Sequence, residues 1–429
     1  MKRNIFAFML SLFLLCFFCI QTTVMAQDNQ WTHFRGNNLS GVSADNQVPV
    51  TWNDSTNIIW KTEIKGKGWS SPVVYGDQVW VTTATPDGKE MSGVCVDFKT
   101  GRILYDLPLF KTDKPDGKHD MNSYATPTSC IENGFVYMSF GSAGTACVNT
   151  TDGKVVWKRD DFKCNHAQGP GASLFLYKDL LIINFEGTES QYIVALNKKT
   201  GEQIWRADRP KECYAHLQPI GKKAYITPIV VTVGGRDLLI SNGSAVCNAF
   251  DIMTGKEVWR VIEGEDSSVS MPFTENGIVY FYTGFWTSTD GEKFTDLFAV
   301  DPSGSGDVTH SKVLWKLKSP PFQLLTPVIK DGLIYTVDGL NTLKVLDAKT
   351  GTAFYSKRLK TKYNSSPVYA GGSVYFTSDK GETLVLKAGK ILDIVAENKL
   401  SGRVLATPAI CQHSILMRTD KFLYRIGNK

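Results

Sequence analysis

Apolar and polar residues alternate over short stretches along most of this chain, and glycine, proline, asparagine or aspartate bounds each stretch. A period of two puts successive side chains on opposite faces, so the pattern predicts half-buried strands rather than helices. Two phrases recur. One is a turn followed by a strand carrying a large aromatic: FKTGRILYDL, TTDGKVVWKR, KKTGEQIWRA, IMTGKEVWRV and AKTGTAFYSK, with a looser copy in KAGKILDIVA and a stretched one in PSGSGDVTHSKVLWKL. Its Thr-Gly or Asp-Gly pair supplies the positive φ of a tight hairpin. The other phrase opens each unit, as in SSPVVYGDQVWVTT, SMPFTENGIVYFYT and SSPVYAGGSVYFTS. Pro72, Pro127, Pro228, Pro272, Pro327, Pro367 and Pro408 mark the same point in seven copies, with Ser173 in the eighth. Each unit reads strand, turn, strand, loop, strand, turn, strand, which is one propeller blade.

The two ends settle the count. The last unit, from Leu405, lacks its aromatic fourth strand. Upstream of the first unit, NIIWKTEI (57–64) has the pattern of a fourth strand with nothing before it, and Trp60 takes the place held by Trp157, Trp205, Trp259 and Trp315. The N-terminal strand therefore completes the last blade, and ring closure removes two open sheet edges. We expect an all-β fold, an eight-bladed β-propeller of four-stranded antiparallel blades over 57–429, preceded by an irregular strap at 27–56. The repeated aromatics are read as blade-to-blade packing and not as ligand contacts.

Composition narrows the setting. The 429 residues carry a formal charge of +5, two units of which are Lys2 and Arg3, and this is too little to argue for nucleic acid. Residues 1–26 combine that basic start, an apolar run from Ile5 to Ile20 and Val24-Met25-Ala26, the three parts of a signal peptide cut before Gln27. The run is too short to span a membrane, so no stable membrane insertion is expected after cleavage. Cys16 follows Leu15 and Cys19 follows Phe18, which is no lipobox. The expected location is periplasmic or secreted. Cys95, Cys130, Cys147, Cys164, Cys213, Cys247 and Cys411 remain, without a CxxC among them, and read as buried small apolar residues.

The Asp-x-x-Thr-Gly turn followed by a strand with Trp, cleanest at Asp251 to Trp259 and at Asp347 to Tyr355, resembles the tryptophan-docking repeat of quinoprotein dehydrogenases. It is also similar to the repeat of BamB, an eight-bladed outer-membrane assembly lipoprotein. WTHFRG, KGWSSPVV, NSYATPT and GDVTHSKVLWK resemble the exported PQQ-like propeller proteins of Planctomycetes and Bacteroidetes. The resemblance implies the fold. Quinoprotein dehydrogenases pair adjacent cysteines against pyrroloquinoline quinone (PQQ) and hold a calcium ion with Glu, Asn and Asp. This chain has no Cys-Cys pair, so no cofactor is expected, PQQ with calcium included. Asp97, Asp251, Asp301 and Asp347 read as turn braces rather than calcium ligands.

The loop entering each innermost strand faces one mouth of the central channel. Counting back from the repeat point puts Trp69, Asn122, Tyr124, Gln168, His216, Lys223, Tyr225 and Tyr363 on that mouth as ligand-binding candidates, with Ser268, Ser270, Gln323 and Asn364 beside them. Aromatic faces with amide and imidazole groups suit a sugar or another polar ring compound. His119 and His166 are the catalytic candidates, because histidine titrates near neutral pH. No metal site is expected, since the histidines have no close-spaced partners. Neither a P-loop nor a GxSxG elbow is present. The expected function is a binding scaffold for an envelope protein or a glycan. The alternative is a carbohydrate-active enzyme with its site in the axial pocket, and a PQQ-dependent dehydrogenase comes third.

Overall fold

The computed structural model describes residues 30–321 and 323–428; the expected signal segment and its cleavage point lie outside them. Among the described residues the strands fall into eight small sheets arranged as a propeller. From the inside outward along each sheet the chain builds blade 1 (73–111), blade 2 (130–159), blade 3 (175–208), blade 4 (229–262), blade 5 (273–319), blade 6 (328–358) and blade 7 (368–399). Blade 8 takes its three inner strands from 409–427 and its outer strand from Ile58–Glu63, which pairs antiparallel with Phe422–Gly427. The N-terminal strand closes the ring as the sequence predicts.

The repeated indoles show why the turn and the aromatic travel together. Trp60, Trp157, Trp205, Trp259 and Trp315 each donate Nε1–H to a backbone carbonyl in the outer turn of the next blade: Phe98, Lys198, Ile252, Pro302 and Ala348, at 2.8–3.2 Å. Asp97, Asp251 and Asp347 brace those turns by accepting from the N–H of Thr100, Thr254 and Thr350, and Asp301 accepts from Ser303. The turn glycine answers two demands. At Gly201 φ is +75°, and an added Cβ would meet the Trp157 ring at 2.8 Å. Only glycine takes both the left-handed backbone and the indole above it.

One part of the predicted repeat register needs correction. Ser71, Thr128, Ser173, Thr227, Met271, Thr326, Ser366 and Thr407 each stand two residues ahead of an innermost strand. The residue between is proline in six blades, but Ser129 in blade 2 and Leu174 in blade 3. Pro127 therefore sits two residues early and Ser173 one residue early. The strand start is fixed by the hairpin that follows it, as in the Glu132–Phe135 pairing across Asn133-Gly134, and not by the proline.

Those eight positions form a belt. Seven of the eight N–H groups donate to the hydroxyl of the next blade, from Ser71 to Thr128, Thr128 to Ser173, Ser173 to Thr227, Met271 to Thr326, Thr326 to Ser366, Ser366 to Thr407 and Thr407 back to Ser71, at 2.9–3.1 Å. Met271 brings no hydroxyl, so the belt is interrupted between Thr227 and Met271.

The strap does more than lead into the closing strand. Gln30–Trp31 pair with Val74–Tyr75 on the innermost strand of blade 1. The Thr32 carbonyl accepts from Ile131 of blade 2, and His33 Nε2 accepts from the N–H of Leu176 of blade 3. Arg35 then reaches the opposite side of the ring, where its guanidinium donates to the carbonyls of Thr326, Pro327 and Pro367 at 2.7–3.3 Å. Gly41 and Ser43 bond Tyr369 of blade 7, and Ser43 Oγ bonds Ile410 of blade 8. The chain thus crosses the channel and blocks it beneath the hydroxyl belt.

Candidate functional site

Above the strap lies an axial cup of about 500 Å³. Phe34 of the strap and the belt side chains form its floor, and the loops entering the innermost strands form its wall. Those loops differ in length. The loops into blades 2, 3 and 4 (112–129, 160–174 and 209–228) are long, whereas those into blades 7, 8 and 1 (359–367, 400–408 and 64–72) are short. Blade 5 adds a hairpin in which Trp286–Thr287 pair with Lys293–Phe294, bringing Phe285 and Lys293 to the cup.

Of the candidate residues, the fold brings Trp69, His119, Asn122, Gln168 and Tyr225 to the cup, and Asn364 with them. The Tyr225 hydroxyl donates to Gln168 Oε1 at 2.6 Å, joining the walls of blades 3 and 4. Asn122 ties the loop into blade 2 to the loop into blade 3: Nδ2 donates to the carbonyls of Gln168 and Pro170, and Oδ1 accepts from the N–H of Ser123. His119 stands exposed on the rim, its Nδ1 accepting from the N–H of Met121.

The other candidates lie elsewhere. His166 is 4% exposed, behind the wall, with Cys164 Sγ 3.5 Å from its Nε2. Burial and the charge of Lys223 hold its imidazole well below its ordinary pKa, and burial pushes the Cys164 thiol up to about 12. Both groups are neutral at neutral pH. Lys223 is 1% exposed, lies 4.1 Å from the Tyr225 ring centre and donates to the Ala224 carbonyl; burial lowers its ammonium pKa to about 8. Tyr124 packs over Gly88, His216 is exposed on the outer approach, and Tyr363 packs against the core between blades 6 and 7.

Four further residues emerge only from the structure: Asp266, Ser267, Phe285 and Lys293 all face the cup. Their neighbours Ser268 and Ser270 are buried away from it, Asn242 donating to Ser268 Oγ and to the Ser270 carbonyl. Side chains alternate on the extended approach to each inner strand, so a one-residue step decides between cup and interior. Asp266, Ser267, Lys293, Asn364 and Gln168 Nε2 carry no intramolecular hydrogen bond from these polar groups among the described residues.

The catalogue of known proteins fits this architecture. The family profile described as outer membrane protein assembly factor BamB matches residues 31–160, 189–311 and 299–392. Tetrathionate hydrolase of Acidithiobacillus ferrooxidans is 23% identical over 278 residues, which cover 59% of this chain; the match spans half of that protein's length. BamB from Moraxella catarrhalis superposes with a TM-score of 0.58 at 12% identity, covering 86% of this chain and 99% of that one. Quinohemoprotein alcohol dehydrogenase from Comamonas testosteroni superposes with a TM-score of 0.64 at 13% identity, covering 94% and 82%. At such identities the likeness of the structures speaks for the fold alone. With the profile matched along most of its length, the chain belongs to the PQQ-like propeller family described as outer membrane protein assembly factor BamB.

Proposed function

We propose that this protein is an exported binding scaffold that holds one unit of a glycan in its axial cup, without a bound quinone. The observation that carries this reading is the composition of the cup: the rings of Trp69, Tyr225 and Phe285 beside the uncommitted polar groups of Gln168, Asp266, Ser267 and Asn364. A pyranose has an apolar C–H face for an aromatic ring and hydroxyl edges for carboxylate and amide groups. The volume of about 500 Å³ lies within the range of small-molecule sites. Export rests on the pattern of residues 1–26. Among the described residues no helix is long and apolar enough to cross a membrane.

The quinone of the related dehydrogenases fits these residues poorly. Its three carboxylates need several cations, and the cup offers Lys293 against Asp266. The buried guanidinium groups of Arg35 and Arg418 are taken up by backbone carbonyls and, for Arg418, by the Ser70 hydroxyl. Among the described residues no three His, Cys, Asp or Glu side chains gather where a metal ion would sit. The placement of His119 on the rim and His166 behind the wall favours binding over acid–base catalysis by that pair.

The test is the melting temperature of the protein against a panel of mono- and oligosaccharides, with PQQ plus calcium as a further arm. A ligand at 100 times its dissociation constant adds about 2.7 kcal/mol, which moves the midpoint measurably. A saturable shift with a saccharide is expected. A flat saccharide panel, or a shift with PQQ and calcium alone, sinks the reading.

A further inference from the structure

The loops into blades 7, 8 and 1 carry cations and no acidic side chain. The loop into blade 1 carries Lys65 and Lys67 ahead of Trp69; the loop into blade 7 carries Lys360 and Lys362 ahead of Asn364; the loop into blade 8 carries Arg403 ahead of Leu405. In all three the cation stands two residues outside a residue that lines the cup. These loops run inward from the outer strands, so each forms a radial track with its cation outside and its cup residue inside. The tracks are joined. Arg403 lies 5.7 Å from the Trp69 ring centre, and its N–H and carbonyl bond Asp420 of the neighbouring turn. Lys380 and Lys421 sit in the turns alongside, where Asp379 donates to the Lys362 carbonyl and Ile64 to the Lys421 carbonyl.

None of these seven cations has an ion-pair partner among the described residues, and all but Arg403, which is half-buried, are exposed. Carboxylates of the same sector include Asp54, Glu63, Asp379, Glu382, Glu397 and Asp420, and Glu382 pairs with Lys399. Asp54 is bound by Ser401, and Asp420 accepts from the Arg403 N–H. Elsewhere on the rim the signs are mixed: the loop into blade 2 carries Asp113, Asp116 and Asp120 with Lys114 and Lys118, the loop into blade 4 carries Lys211 and Lys222 with Glu212, and the loop into blade 5 carries Glu265 and Asp266 without a cation. An anionic chain with its end in the cup is therefore drawn out over blades 7, 8 and 1, where the loops hold cations alone, and away from blade 5.

We propose that the loops into blades 7, 8 and 1 form a cationic ramp that recognises an acidic polysaccharide, one bearing carboxylate or sulfate groups, whose terminal unit occupies the cup. The proposal rests on the glycan reading and names its ligand class. A chain that ends in a blind cup binds by one terminus. The ramp then supplies affinity that grows with the next few charged units and weakens with salt, because exposed charges are screened over about 10 Å at 0.1 M ionic strength.

The experiment is affinity electrophoresis of the whole protein through gels containing alginate, pectate, dextran sulfate or neutral dextran, with Lys67→Gln/Lys362→Gln/Arg403→Gln and Trp69→Ala as variants. Among the described residues the three ramp side chains make no hydrogen bond, so the triple variant keeps its fold; a matched melting temperature checks this. Retardation by at least one acidic polymer beyond that in dextran is expected, falling about tenfold in the triple variant as three exposed charge contacts are lost. No acidic polymer exceeding dextran, or equal retardation of the triple variant, overturns the ramp. So does tighter binding to phosphatidylglycerol vesicles than to every acidic polymer. Retardation lost in the triple variant but kept in Trp69→Ala upholds the ramp and breaks the cup reading instead.

Discussion

The N–H of Thr407 donates to the hydroxyl of Ser71 at 3.0 Å across 336 positions of sequence, joining the last blade to the first at the axis. Thr407 Oγ1 in turn accepts from the Ser366 N–H at 3.1 Å. Ring closure is thus made twice, by the outer strand Ile58–Glu63 and by the belt at the centre.

Thr407→Val removes one link of the belt at nearly constant volume. It leaves the buried Ser366 N–H without its acceptor and puts a methyl group there. The expected loss is about 1–3 kcal/mol of unfolding free energy, read from urea denaturation with an unchanged m-value. A loss below a few tenths would mean that water or another carbonyl takes up that N–H.

Arg35 is fully buried, and burial alone lowers its guanidinium pKa to about 9. Five carbonyls surround it, those of Leu39, Ser40, Thr326, Pro327 and Pro367. Arg35→Met fills part of the space but strips these acceptors of their donors, and should cost about 2–4 kcal/mol. Arg35→Lys should cost a similar amount, since a point ammonium does not reach both sides of the ring as the planar fork does. Equal stability of the Lys variant and the parent in denaturation would contradict this account of the plug.

His33 makes the strap sensitive to acid. Its Nε2 accepts from Leu176 and its Nδ1 lies 2.8 Å from Thr32 Oγ1, so the neutral ring with the proton on Nδ1 satisfies both partners. Burial holds its pKa at about 4. Unfolded, it titrates near 6.5, so between those values the unfolded state binds more protons and stability falls as pH drops. The stabilisation is complete above pH 6.5 and is lost toward pH 4, amounting to about 3 kcal/mol over the window. Denaturation of the parent and of His33→Gln at pH 7, 6, 5 and 4.5 should show a steeper decline in the parent; parallel curves would refute it.

The fold was legible because it is repeated. Eight copies of one hydrophobic phrase, with Trp60 orphaned upstream of the first, specify blade count and closure. The strap was not legible, because Phe34 and Arg35 occur once and nothing local says that they cross the axis. The candidate site was half legible. Trp69, Gln168 and Tyr225 reach the cup, while Tyr363 turns away one step from Asn364, and His166 and Lys223 lie behind the wall where turns at His166–Gly169 and Pro219–Lys222 interrupt the alternation. Phe285 and Lys293 come from a hairpin inside blade 5, away from the loops where the repeat directs attention.

The central claim is that the cup itself is the recognition site. Titration calorimetry addresses it most directly: the saccharide giving the largest stabilisation is titrated into the parent protein and into Trp69→Ala and Asp266→Asn. The account predicts one site per chain in the parent and a loss of about 1–3 kcal/mol in binding free energy for each variant, with melting temperatures within a few degrees of the parent. Unchanged affinity in both variants, or binding of more than one saccharide per chain with no effect of Trp69, would contradict it.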